Sequence, residues 1–580
     1  MQASELHHTC GGAAMTGPAE RVLLRRHHQS QLHQSRLHQS QDRQSQHHEK
    51  PHRRRRVLGA VVLAVALPLA ACSTTTSSSK PSESSQPADP NAAVANPLPD
   101  NAVGNAVGRL DGLVSDLMSR TKIPGLAVAV VQGGEVKYAK GFGVTDVSTR
   151  AKVNADTVFQ LASVSKSVGS TVIAKLVTDK VVGWDTPVAT NYPGFALSNP
   201  YVTSNVTIAD MYAHRSGLPE HAGDKIEDLG YNREQVISRL SAMPLSPFRI
   251  TYDYTNFGLT AAATSAANKA GADWATLSQN EIYGPLGMSR TSSRYSDFAG
   301  RDNRAVGHIK SNGQWVVSPY PRQPDAQSPA GGVSSSVNDM AHWMSMVLAG
   351  GTTSSGQRIV DADALTPALT PQIVSSPAAA PDDRAGFYGY GFNSSVTEAG
   401  RTQFSHSGAF ASGAGTTFLM IPSADLGIVA LTNAAPIGAA ETLTGKFADI
   451  VQFGEVKHDW ATLYGNAFAD MSKPVGSLVG QSPPANPTPA QPLSTYVGVY
   501  QNPVYGQAEV RDNGGKLMLD MGPGGVTKRE LRHWDGNTYT FTLQNENAEP
   551  GSISKVTFDG PGMSIEYYDD ASNNGVFVRS

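Results

Sequence analysis

Ser163-Val164-Ser165-Lys166 opens a stretch to Val182 in which Val164, Val168, Val172, Ile173, Leu176 and Val177 recur at helical spacing. A mostly buried helix is expected over 163–182. Residues three apart on a helix share a face, so Ser163 and Lys166 can touch. Burial would lower the lysine pKa and leave a neutral amine able to take the serine proton. The helix N-terminus adds backbone N–H groups for a developing oxyanion. Ser77/Lys80, Ser119/Lys122 and Ser552/Lys555 have the same spacing but not the same setting. The first pair lies in a polar tether, the second ends a polar helix that stops at Pro124. The third lies in a strand, where positions three apart face opposite sides.

Two further patterns follow in order. Tyr254-Thr255-Asn256 stands about 90 residues on, before an Ala-rich helix, and His406-Ser407-Gly408 stands about 150 beyond that, ahead of a hairpin. Each is cheap alone: Tyr464/Asn466, Tyr500/Asn502 and His221/Gly223 repeat them elsewhere. With Phe159, Ala213 to Pro219, Pro285-Leu286-Gly287-Met288, Ala330-Gly331-Gly332 and Asp339-Met340, the order and placement resemble the serine β-lactamase-like superfamily over roughly 105–455. That group includes class C β-lactamases, D,D-carboxypeptidases, D-aminopeptidases and related esterases. The segment from Tyr496 to Arg511 resembles the start of a lipocalin-like module appended to such hydrolases.

The resemblance implies an α+β fold: an antiparallel sheet flanked by helices, a helical subdomain, and a small all-β barrel-like domain after them. It implies Ser163 as acyl-accepting nucleophile, Lys166 as its activator and Tyr254 as proton shuttle, a phenolate only if cations such as Lys166 lower its pKa. It gives Asn256 a hydrogen bond to substrate and makes the N–H groups of Ser163 and Ala409, beside His406, Ser407 and Gly408, an oxyanion hole. No cofactor and no metal are implied. Class C β-lactamases carry Lys where this chain has His406. A histidine mostly neutral at pH 7 is a poor partner for a substrate carboxylate, which favours a D-amino-acid peptidase or esterase over an efficient β-lactamase. The rival class is a non-catalytic lipoprotein that holds a cell-wall peptide or a partner.

Around this core the chain is uneven. Residues 1–71 carry ten Lys/Arg against four Asp/Glu, a net of +6, so with −3 overall the remainder carries −9, which argues against nucleic-acid binding. Residues 1–56 are polar, His-rich and repetitive, and read as a non-structural leader. Arg53 to Arg56 then precede an apolar run from Val57 to Ala71, too short to span a bilayer and laid out as a secretion signal. The run ends Leu69-Ala70-Ala71-Cys72, which resembles a bacterial lipobox. Residues 1–71 are thus expected to be leader and signal peptide, and 72–102 a lipidated Cys72 with a flexible tether. The expected protein is exported and touches the membrane only through that lipid; its substrate is a small peptide or ester.

Beyond the tether the hydrolase is expected over 103–455, a connecting and Pro-rich linker over 456–493, and the β domain over 494–580. Gly125 to Val131 and Glu135 to Phe142 flank a Gly turn, and 416–421 and 426–431 form a second hairpin. Helices are expected over 207–213, 257–270, 274–283, 337–349 and 440–453. Seven strand-like runs, 496–500, 506–511, 516–521, 529–534, 538–543, 552–558 and 563–568, make up the β domain, with Asn513-Gly514 and Asp559-Gly560 as turns. Its aromatic residues are expected to be its core.

Overall fold

The computed structural model describes residues 95–569 and 574–580. The leader, the apolar run and Cys72 lie outside the described residues. Six helices matter below: α1 (Ala102–Thr121), α2 (Ser165–Thr178), the single turn α3 (Asp224–Glu227), α4 (Asn256–Ala270), α5 (Val337–Leu348) and α6 (Ala439–Phe453). The hydrolase sheet contains β1 (Gly125–Gln132), β2 (Glu135–Gly143), β3 (Ile373–Ser376), β4 (Gly386–Tyr388), β5 (Asn393–Val396), β6 (Thr402–Phe410), β7 (Ala414–Ile421) and β8 (Leu426–Thr432).

These strands form one antiparallel sheet in the order β2-β1-β8-β7-β6-β5-β4-β3. The β1–β2 hairpin turns at Gly133 and Gly134, both at positive φ, where a side chain would be strained. On β1, Leu126, Val128 and Val130 join the core with α1 and α6, while Ala127, Ala129 and Val131 share the other core with Met340, Trp343 and Met344 of α5. Burial on both faces explains why β1 is a continuous apolar run rather than an alternating one. Fully burying each Val or Leu side chain is worth ~1.5–3 kcal/mol. The helical subdomain centres on α4, whose Ala261, Ala262, Ala263, Ala266 and Ala267 are all buried.

Several boundaries differ from the sequence reading. Chain packing starts before residue 103: the Asn96 N–H donates to the Ala399 carbonyl (2.9 Å), and Arg401 reaches the Asn96 carbonyl. The helix expected over 163–182 begins as a 3₁₀ turn at Ala162–Val164 and ends at Thr178. Ala162 (φ 47°) and Lys180 (φ 60°) both stand in the left-handed region and bend the chain at its ends. The 274–283 helix is α only to Ser278 and then a π turn. Ala330 and Gly331 end a short helix, Ser328–Gly331.

The segment 456–493 is no free tether. Trp460–Phe468 is helical, capped by Asp459. Further on, Val475 donates to the Ser552 hydroxyl (2.9 Å), its carbonyl accepts from Ile553 (3.0 Å), and Thr488 donates to Asp535 (2.6 Å). The prolines leave too few N–H groups for a helix or strand, but the backbone still docks on the next domain.

That domain is a closed barrel of eight consecutive antiparallel strands: β9 (Gly498–Asn502), β10 (Gly506–Asp512), β11 (Leu517–Met521), β12 (Thr527–Asp535), β13 (Thr538–Asn545), β14 (Ala548–Asp559), β15 (Gly562–Ile565) and β16 (Val576–Arg579). The run expected over 563–568 stops at Ile565 and becomes a 3₁₀ turn, and the short β16 closes the ring on β9. Eight strands enclose a space that side chains can fill. Here Tyr496, Tyr500, Phe558 and Phe577 are buried, with the Tyr496 and Phe558 rings 4.7 Å apart.

Candidate active site

The chain reaches Ser163 through a strained turn. Ala162 is buried and left-handed, a conformation that costs an L-residue roughly 1–2 kcal/mol. Neighbours hold it there: Thr416 Oγ1 donates to the Leu161 carbonyl (2.7 Å), the Leu161 N–H donates to Val333 (2.8 Å), and the Val333 N–H donates to Ser165 Oγ (2.9 Å). The start of α2 is thereby pinned between β6–β7 and the Ser328–Gly331 helix.

Lys166 lies one helical turn on and is fully buried. Its Nζ stands 3.0 Å from Ser163 Oγ, 2.7 Å from Asn256 Oδ1 and 3.0 Å from the Ala330 carbonyl. Burial pulls its pKa down to about 7, against an opposing pull from the Asp224 carboxylate. Near neutrality a large fraction of the amine is therefore uncharged and can accept a proton. The Lys166 Nζ also sits 4.5 Å from the centre of the Tyr254 ring, and the Tyr254 hydroxyl hydrogen-bonds Ser163. Burial pushes the Tyr254 hydroxyl well above its ordinary pKa, so Tyr254 is a neutral phenol. Lys166, 3.0 Å from Ser163 Oγ and with its pKa lowered, is the group placed to accept the serine proton.

Asn256 bridges Lys166 and α3. Its amide nitrogen donates to both oxygens of Asp224 (3.1 and 2.9 Å), so its carbonyl faces Lys166 and its N–H groups are engaged before any substrate arrives. Asp224 in turn pairs with His221 Nδ1 at 3.0 Å. Burial works to lower the His221 pKa, but the carboxylate prevails and leaves it raised. Asp224 and Tyr388 escaped the sequence reading because neither belongs to a short motif, and His221 and Ala330 were noted there without a role in the site.

His406 is buried, and its Nδ1 lies 2.7 Å from the Ser407 carbonyl. A carbonyl can only accept, so Nδ1 carries the proton and Nε2 accepts from the Tyr388 hydroxyl at 2.8 Å. Burial, reinforced by Lys166, lowers the His406 pKa to about 3, and the ring is neutral at working pH. Ser407 points the other way, as strand alternation requires. Its hydroxyl donates to Thr417 (3.2 Å) and bonds Glu441 of α6, so its side chain does not line the site.

Gly408 returns to the site face. A Cβ there would stand 2.2 Å from the Leu161 carbonyl and 2.9 Å from the Ser163 nitrogen. Only glycine lets β6 pass this close, bringing the backbone of 408–409 beside the Ser163 N–H as an oxyanion hole needs.

His214 is buried beside Tyr254, with ring centres 4.5 Å apart, and accepts from the Thr255 N–H (3.2 Å), a structural role. Its loop is tied down by buried Asp210, which pairs with Arg215 (2.8 Å) and Arg249 (2.9 Å). Among the described residues no three His, Cys, Asp or Glu side chains gather into a metal cage.

A family model for β-lactamase matches residues 110–450, and one for a domain of unknown function (DUF3471) matches 482–569. The unguisins hydrolase of Aspergillus violaceofuscus is 28% identical over 477 residues, 76% of this chain and 82% of that protein. Penicillin-binding protein 4 of Amycolatopsis lactamdurans is 27% identical over 255 residues, 42% of this chain and 65% of that one. The fold is shared with the octameric penicillin-binding protein homologue of Pyrococcus abyssi (TM-score 0.52, 19% identity, 82% of this chain and all of that one). It is also shared with the hydrolase EstCE1 (TM-score 0.51, 18% identity, 61% of this chain and all of that one). The β-lactamase model spans more than half of the chain, on a sheet flanked by helices with Ser163 and Lys166 inside the matched stretch, and the chain belongs to the β-lactamase family of serine hydrolases.

Proposed function

We propose that Ser163 forms a covalent acyl-enzyme with uncharged ester or peptide-amide substrates. The observation that carries this reading is the 3.0 Å contact between Ser163 Oγ and a buried lysine whose pKa is about 7. Neutral Lys166 takes the Ser163 proton as Oγ attacks the substrate carbonyl carbon. The N–H groups of Ser163 and Ala409 hold the resulting oxyanion. Collapse breaks the bond to the leaving group, which takes the proton back from Lys166 through the Tyr254 hydroxyl. Water then repeats the sequence against the ester, and Ser163 is regenerated.

Selectivity follows from His406. A ring locked neutral by Tyr388 and the Ser407 carbonyl offers no positive charge to a substrate carboxylate. Peptide amides, D-configured ones included, and esters suit this site better than β-lactams or peptides ending in a free carboxylate. The unguisins hydrolase, a relative named for hydrolysis, is consistent with this.

The test compares kcat/KM for N-acyl-D-alanyl ester, amide and D-Ala-D-Ala substrates and a β-lactam, with Ser163→Ala as control. Esters and amides are expected to lead the carboxylate-bearing substrates by about 10²-fold, the scale of one missing ionic contact in a buried site. A lead for the β-lactam would replace this reading with a β-lactamase. Ligand binding without turnover of any substrate would make the protein a binder.

We further propose that Cys72 carries the lipid that tethers the enzyme outside the cytoplasm. Metabolic labelling with a palmitate analogue is expected in the full chain and not in Cys72→Ala; equal labelling of both would remove the anchor.

A further inference from the structure

The segment from His221 to Tyr231 has one side in the site and the other on the barrel. On the site side, Asp224 holds the Asn256 amide, and Asn256 holds Lys166. Gly223, at φ 98°, lies so close to Phe257 that a Cβ would stand 2.7 Å from its ring, which seats α3 directly on α4.

On the barrel side, Lys225 Nζ donates to the Tyr567 carbonyl at 2.7 Å and lies 5.0 Å from the Tyr567 ring centre. Asn547, in the β13–β14 turn, donates to Asp228 at 2.7 Å, and the Tyr231 hydroxyl donates to the Tyr505 carbonyl at 3.1 Å. Gly522 approaches the Leu229 carbonyl so closely that a Cβ would stand 2.0 Å from it. The same β13–β14 turn grips the opposite wall. Glu546 accepts from the Ala411 N–H (2.6 Å) and the Ser412 hydroxyl (3.1 Å), just past Ala409. Partly buried Arg322 bonds Glu227 at 2.6 Å and is drawn to Glu546 as well.

We propose that the C-terminal barrel is a working part of the acylation site, holding α3 and the 411–412 turn so that Asp224 positions Asn256 and Lys166 against Ser163. Asp224, Lys225 and Asn547 are positioning residues; none touches the reacting atoms. The proposal rests on Ser163 as nucleophile, and its test keeps the two apart.

The chemistry gives a specific signature. Lys166 is faced by Asp224, Tyr254 and the three histidines 214, 221 and 406, and Asp224 is the only negative charge among them. On the barrel side α3 is faced by Arg322, Glu546 and Asp228, the last raised to about 7 by burial. Moving Asp224 away removes a charge that stabilises the ammonium, so the Lys166 titration falls to lower pH even as the geometry worsens.

The experiment measures the rate at which a fluorophosphonate labels Ser163 in the full chain between pH 5.5 and 9. Asp224→Asn, which keeps a hydrogen-bond acceptor for Asn256, is expected to lower the midpoint by about one unit. Lys225→Met/Asn547→Ala is expected to move it the same way and to slow labelling at pH 8 about tenfold or more, since a displacement near 1 Å can cost about 10²-fold. Lys225→Arg, which keeps the donor and the charge, is expected to stay within about twofold of wild type. Wild-type rate and midpoint in the double variant would overturn the proposal. If that variant does not fold, an unmoved midpoint in Asp224→Asn overturns it from the other end. Labelling that persists in Ser163→Ala would instead sink the nucleophile assignment.

Discussion

Lys166→Ala is expected to slow acylation of Ser163 by ~10³-fold, within the ~10²–10⁴ range of a positioned general base. Tyr254 and His406 are poor substitutes. Tyr254 is held as a neutral phenol, and His406 has its remaining lone pair on Tyr388. In the wild type the active form contains neutral Lys166, with a pKa of about 7. The acylation rate should therefore be flat above pH 8 and drop tenfold per unit well below 7. That limb should vanish in the variant, leaving a slow rate that follows hydroxide. Single-turnover release of p-nitrophenol from an acetyl ester reads both features. An unchanged limb in Lys166→Ala would assign the titration to another group. The substitution also leaves Asn256 Oδ1 and the Ala330 carbonyl without their donor, so melting should be recorded with it; Lys166→Met keeps the volume.

Gly408→Ala should be the next most damaging change, with a loss of ~10²-fold in kcat and little change in KM. The new methyl would lie 2.2 Å from the Leu161 carbonyl and 2.5 Å from Thr416 Oγ1. The first is backbone that cannot turn aside, so β6 must back away from the Ser163 turn. That widens the gap between the Ser163 and Ala409 N–H groups, which matter only once the oxyanion forms. Overpacking of this kind costs ~1–3 kcal/mol of stability, so the fold should survive. A wild-type kcat in a well-folded Gly408→Ala would mean that the oxyanion is held elsewhere.

What the sequence disclosed depends on how local each signal is. The β1–β2 and β7–β8 hairpins stood out as apolar runs set off by Gly or Pro turns, and the helix after Ser163 by its helical period. The strand carrying His406 did not. Its inward positions 406 and 408 hold a histidine and a glycine, chosen for the site, so the apolar alternation that marks a strand is broken where function occupies it. β3, β4 and β5 are three or four residues long and too polar to show a period. Within the site, Ser163, Lys166 and Tyr254 were legible as motifs, and the structure brings all three together. Asp224 and Tyr388 were not, because their partners lie 32 and 18 residues away and only folding introduces them. The orientation of Ser407 was foreseeable from alternation alone, had the segment been recognised as a strand.

The contact between Lys225 and Tyr567 spans 342 residues of chain. Ser163 and Lys166 leave the ribosome long before Tyr567 is made. The nascent hydrolase can thus build its sheet and its nucleophile turn early, yet it lacks the far end of the strut that sets them against each other. With the proposed strut, full reactivity waits for the barrel strands, so a product cut short before them is expected to carry a serine that is present but poorly armed.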